Sequence, residues 1–68
     1  MYFGRNVNIC REQLGESEQW LADRARVTKG YISQVERGLK VPSLPVAVLI
    51  AEALGRTVDE LVSDMYPT

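Results

Sequence analysis

The sequence predicts an all-α fold, five short helices in a single compact domain spanning residues 1 to 68. Three observations predict it. Serine or threonine precedes four of the apolar segments (Ser17, Thr28, Ser43, Thr57), where a side-chain oxygen can accept from the orphan N–H groups of a helix start. Glycine follows three segments (Gly15, Gly38, Gly55), supplying the left-handed turn that ends a helix. No segment alternates apolar and polar residues as a half-buried strand would.

Taken in order, the first helix is expected over residues 5 to 14, closed by Gly15. The second starts at the Ser17 cap and runs to residue 25, with Leu21, Ala22 and Ala25 at inward spacing and Trp20 beside them. A break at Arg26 and Val27 leads to the Thr28 cap of a third helix that continues to residue 37, with Ile32 and Val35 inward. Ser43 caps the fourth, whose Pro45 falls in the first turn, where a missing N–H costs nothing; it ends at Leu54 and Gly55. Thr57, with Glu60 three residues later, reads as a capping box for a fifth helix over residues 58 to 65.

Composition bounds the function. With 46% hydrophobic and 25% charged residues, the chain is too apolar to be disordered and ordinary for a globular domain. No apolar run is long enough to span a bilayer and the opening residues do not read as a secretory signal, so no membrane association and a cytoplasmic location are expected. With one cysteine and no histidine, an internal disulfide and a Cys/His zinc site are excluded; Cys10 reads as a small half-buried apolar residue. No cofactor, no metal and no small-molecule ligand is expected. Catalysis would require paired carboxylates or a serine with a base, and neither Glu16 with Glu18 nor Ser33 offers a supporting arrangement, so the chain does not read as an enzyme.

The formal net charge of −1 conceals an uneven distribution. Residues 1 to 40 hold seven cations against five anions, whereas residues 41 to 68 hold Arg56 against Glu52, Asp59, Glu60 and Asp64. Between Arg24 and Lys40 stand five cations, Arg24, Arg26, Lys29, Arg37 and Lys40, against Glu36 alone. An anionic ligand responds to such local charge within a Debye length of about 8 Å.

Two helices joined across a few residues, the second with a polar outward face and basic flanks, make a helix-turn-helix. The stretch "ESEQWLADRARVTKGYISQVERGLKVPSLPVAVLIAEALGRTVDEL", residues 16 to 61, resembles the phage repressor and Cro-type helix-turn-helix domain. The features are "LA" in the second helix, "YIS" and then "ERG" in the third, the following proline, and "ALG" followed by "DEL". The resemblance implies a five-helix lambda-repressor-like domain whose third helix lies in the major groove of double-stranded DNA. Carried over by position, Lys29, Gly30, Ser33 and Gln34 resemble the base-facing set. Gln34 can offer adenine a donor and an acceptor, Lys29 can reach guanine, Ser33 suits either, and Gly30 allows close backbone approach. Ser17, Thr28, Tyr31, Arg24, Arg26, Arg37 and Lys40 are the candidate phosphate contacts. Glu36 would instead pair with a cation of the first two helices, such as Arg11 or Arg24.

One position departs from the family pattern. Where the family usually carries a glutamine that bonds a phosphate and braces the third helix, this chain has Glu18. A carboxylate suits the positive end of a helix but repels a phosphate arriving there, unless it turns to a cation such as Lys29.

The fourth helix supplies a second face. Plotted at 100° per residue, Leu44, Ala47, Ile50, Ala51 and Leu54 point to the core, with Val58, Leu61 and Val62 of the fifth helix nearby. Val46, Leu49 and Ala53 fall opposite, and Val48 between. A domain of 68 residues cannot cover both faces, so a second copy is expected over Val46, Leu49 and Ala53, with Met65 and Tyr66. The expected function is therefore a sequence-specific transcriptional regulator, a repressor, binding an inverted repeat as a homodimer. The alternative is a protein-interaction module, such as a toxin-neutralising antitoxin, that uses the apolar face of the fourth helix.

Overall fold

The computed structural model describes residues 2 to 63. They form five helices in the expected order, α1 (Phe3–Gln13), α2 (Glu18–Ala25), α3 (Lys29–Glu36), α4 (Leu44–Leu54) and α5 (Val58–Val62). Met65 and Tyr66 lie outside the described residues.

The caps act where the sequence places them, with one exception. The Ser17 and Thr28 hydroxyls accept from the backbone N–H of Trp20 and Tyr31, at 3.0 and 3.1 Å. The box at α5 is complete: Thr57 Oγ1 accepts from Glu60 N–H at 3.1 Å, and Glu60 Oε1 from Thr57 N–H at 2.8 Å. Ser43 takes the extended backbone of a cap residue, but its side chain makes no cap bond. The described part of α5 ends at Val62, short of the expected residue 65.

Helix α1 starts two residues earlier than expected, and no side chain caps it. Burial explains the early start, since Phe3 is sealed in the core and a helical first turn points it there. Helix α2 ends on Arg26, held in the left-handed conformation (φ 61) usually left to glycine or asparagine. That conformation lets Val27 N–H reach the Ala22 carbonyl at 3.0 Å and turns the chain sharply into α3.

One core unites the helices. Helix α1 packs on α3, α4 and α5; α2 packs on α3 and α4; and α5 closes against α4. Leu21, Ile32, Ile50, Leu61, Val7 and Val35 are fully buried at its centre, and each large aliphatic there contributes about 1.5–3 kcal/mol through burial. Cys10 lies within this core, more deeply than the half-burial expected. Asn6, also fully buried, donates from Nδ2 to the Leu61 and Ser63 carbonyls and so ties α1 to the end of α5.

Three assignments on the α4 side need correction. Leu44, expected in the core, is 68% exposed at the first position of α4, about a turn before the helix's buried residues begin at Ala47 and continue with Ile50, Ala51 and Leu54. Val46, Leu49 and Ala53, expected to face outward, are half-buried against the core, because α4 is gripped by three helices and buries a wider arc than a single stripe. Val62 is exposed, leaving Leu61 and half-buried Val58 as the inward residues of α5.

Candidate nucleic-acid interface

The turn between α2 and α3 is short, and it fixes which face of α3 reaches solvent. Ile32 and Val35 are buried, so Lys29, Gly30 and Gln34 stand exposed on the other side, with Ser33 half-buried between them. The four candidate base-facing residues thus share one exposed surface. A Cβ built on Gly30 would find only Thr28 Oγ1, 4.0 Å away, so the fold itself places no demand for glycine there. Glycine in a helix interior costs about 1 kcal/mol relative to alanine, a cost the intramolecular packing leaves unexplained.

The candidate phosphate-binding cations lie at or just beyond the ends of α2 and α3 in the chain. Arg24, Arg26, Arg37 and Lys40 are all exposed. The Arg24 guanidinium lies 4.7 Å from the Trp20 ring centroid and Lys40 Nζ 5.8 Å from that of Tyr31, contacts that restrain two long side chains while leaving their charge accessible. Tyr31 is half-buried, and Ser17 and Thr28 are exposed at the starts of α2 and α3.

Glu36 belongs to the scaffold. Its side chain is 3% exposed and accepts from Arg11 Nε at 2.8 Å, from Arg11 Nη2 at 3.0 Å and from Asn8 Nδ2 at 2.9 Å. Of the two cations expected to pair with it, the structure selects Arg11, while Arg24 stacks on Trp20. Arg11 also donates from Nη1 to the Glu16 carbonyl at 2.7 Å, which fastens the α1–α2 loop. Hydrogen bonding to Glu36 raises the Arg11 guanidinium above its ordinary value, against the opposing effect of burial.

Glu18, the departure from the family pattern, does not simply turn to Lys29. Burial and the neighbouring Glu36 carboxyl raise it above the ordinary carboxylate value, and Arg11 and Lys29 only counter this. Two further residues were missed in the sequence, Gly4 and Asn8. A Cβ on Gly4 would fall 1.9 Å from the Val35 carbonyl oxygen, so α1 and α3 touch backbone to backbone. Gly4, Asn8 and Arg11 recur at i, i+4 and i+7, the spacing of one helix face, and that signal was available.

This arrangement matches the helix-turn-helix family over residues 8–61. The chain belongs to that family. The membership bears out the resemblance to phage repressor and Cro-type domains. An uncharacterized HTH-type transcriptional regulator of Mycobacterium tuberculosis is 50% identical over 51 residues, which are 75% of this chain and 36% of that protein. The chain therefore spans about a third of the length of that relative. Among solved structures, the DNA-binding domain of the P22 C2 repressor superposes with a TM-score of 0.89 at 25% identity, covering 100% of this chain and 91% of that one. SinR, a master regulator for biofilm formation solved in complex with DNA, gives a TM-score of 0.82 at 31% identity over 90% of this chain and 98% of its own. Among the described residues, no helix is long and apolar enough to cross a membrane, and no cluster of potential metal ligands occurs.

Proposed function

We propose that this helix-turn-helix domain is a sequence-specific DNA-binding regulator, and that α3 enters the major groove and reads bases through Lys29, Ser33 and Gln34. The observation that carries this reading is the α3 surface itself, small and polar with Lys29 at its start, exposed while the opposite face anchors the core. Gly30 fits the same reading, since clearance for an approaching base edge accounts for a glycine that the fold does not require. Thr28, Tyr31, Ser17, Arg24, Arg26, Arg37 and Lys40 would bind phosphates, positioning the domain without specifying sequence. SinR's complex with DNA supports the same mode of action by likeness.

Selection of random duplexes on the purified protein at near-physiological salt tests this reading. Two mirrored half-sites about 34 Å apart are expected. Gln34→Ala should relax preference at one base pair per half-site and cost about 1–3 kcal/mol on the preferred sequence. No enrichment from a folded protein would transfer the function to a protein partner.

A regulator that occupies such a site as a repressor would do so as a homodimer, and the outer side of α4 is its proposed interface. Exposed Leu44 and Val48 now join half-buried Val46, Leu49 and Ala53 on that helix. Val48→Asp places a charge on this surface without disturbing the core. Sedimentation should then report a folded monomer where the parent chain is dimeric; an unchanged dimer would remove α4 from the interface.

A further inference from the structure

The turn between α2 and α3 holds a residue that the local backbone does not favour. At position 26 the chain takes φ 61, a left-handed conformation that glycine enters without steric cost, yet the residue is arginine. Among the described residues Arg26 alone does this without being glycine, whereas Gly15, Gly38 and Gly55 take the same region at φ 73, 77 and 71. The fold explains the conformation and not the side chain. The N–H groups of Arg26 and Val27 both donate to the Ala22 carbonyl, the latter at 3.0 Å, and these bonds end α2 and swing the chain toward Thr28. Both are backbone bonds, so glycine would keep them. The Arg26 side chain is exposed, and among the described residues it makes no hydrogen bond, ion pair or ring contact. Asp23, the acid nearest to it in the chain, is engaged by Gln19 Nε2 at 2.8 Å. A strained residue that nothing in its own fold compensates points to a role outside the fold.

We propose that Arg26 is a positioning residue for DNA docking, kept at a strained backbone position because its guanidinium holds one phosphate at the α2–α3 turn and so seats α3 in the groove. The proposal rests on the DNA-binding reading given above and deepens it, singling out Arg26 among the candidate phosphate contacts. A guanidinium suits a phosphate because it donates two parallel N–H bonds in a fixed plane and stays charged at any physiological pH. Residue 26 lies in the turn itself, after α2 ends at Ala25 and before α3 starts at Lys29, so its charge sits where the two helices of the motif meet. A phosphate contact carries no base information. Arg26 therefore acts on affinity and on salt dependence, equally over all sequences.

The test measures, on the full chain, the thermal midpoint and the dissociation constant for a random-sequence duplex over a series of salt concentrations, for the parent, Arg26→Gly and Arg26→Lys. Arg26→Gly should melt about 3 °C above the parent, because relief of the left-handed strain outweighs the flexibility that glycine adds to the unfolded chain. It should nevertheless bind about fivefold more weakly at near-physiological salt, with the slope of log affinity against log salt reduced by about 1. Arg26→Lys keeps both the charge and the strain, so it should melt with the parent and retain the parent's salt slope. Parent-like affinity and slope in Arg26→Gly would overturn the proposal and leave the DNA reading standing. Weaker binding by Arg26→Gly together with a lower midpoint would also overturn it, since a damaged turn would then account for the loss. Failure of the folded parent to bind duplex at any salt concentration would overturn the DNA reading and this proposal with it.

Discussion

Arg11→Ala should cost the domain about 3–5 kcal/mol, because it leaves the Glu36 carboxylate buried without its cation. A chain of 68 residues has about 3–10 kcal/mol of stability in total, so the variant should sit near the edge of unfolding at room temperature. Three of the bonds that hold α1 to the rest of the domain vanish together, two to Glu36 and one to the Glu16 carbonyl. Urea denaturation followed by circular dichroism measures the loss, and the double variant Arg11→Met/Glu36→Met separates its causes. If most of the cost is the stranded carboxylate, the double variant should be more stable than Arg11→Ala. A loss under about 1 kcal/mol for Arg11→Ala would mean that the pair behaves as an exposed one, contrary to its burial.

Gly4→Ala should destabilise by about 2–3 kcal/mol, although alanine is the better helix former by about 1 kcal/mol. The added methyl would meet the Val35 carbonyl oxygen at 1.9 Å and its carbonyl carbon at 3.0 Å, and backbone atoms cannot rotate away as a side-chain end could. Relief requires α1 to withdraw from α3, which opens the core beside Phe3, Val7 and Val35. Gly30→Ala is the matched control, the same change in a helix where the new methyl meets nothing closer than 4.0 Å. It should raise stability by up to about 1 kcal/mol. Equal gains from both substitutions in thermal unfolding would refute the close approach of α1 and α3.

The two glycines illustrate how far a sequence reading reaches. Both stand in the first turn of a helix, and helical spacing can place Gly4 on a face with Asn8 and Arg11 without saying that it meets another backbone there. Gly4 is fixed by what lies across the interface, 31 positions further along the chain at Val35. Gly30 faces open space, so no packed neighbour in the fold accounts for it. Glu36 was partly legible: a lone acid in a basic segment had to be paired, and Arg11 was one of two partners named. Choosing between Arg11 and Arg24 needed the packing of α1 on α3, because helical spacing says which residues share a face but not which faces meet. The α4 surface erred for the same reason. A helical plot divides residues into halves, but the arc actually buried depends on how many neighbours surround the helix.

The sequence by itself determined the number, order and main boundaries of the helices, the all-α class, and the family to which the chain belongs. These properties are local: a serine or threonine caps a helix, a glycine ends it, and an apolar residue at the right spacing turns inward whatever lies beyond. The tertiary structure alone decided the partner of Glu36, the backbone contact at Gly4, and the division of α4 between core and surface. Each of these depends on groups far apart in the chain being brought within a few ångströms. Burial and charge interactions act over those distances, and only the packed fold sets them.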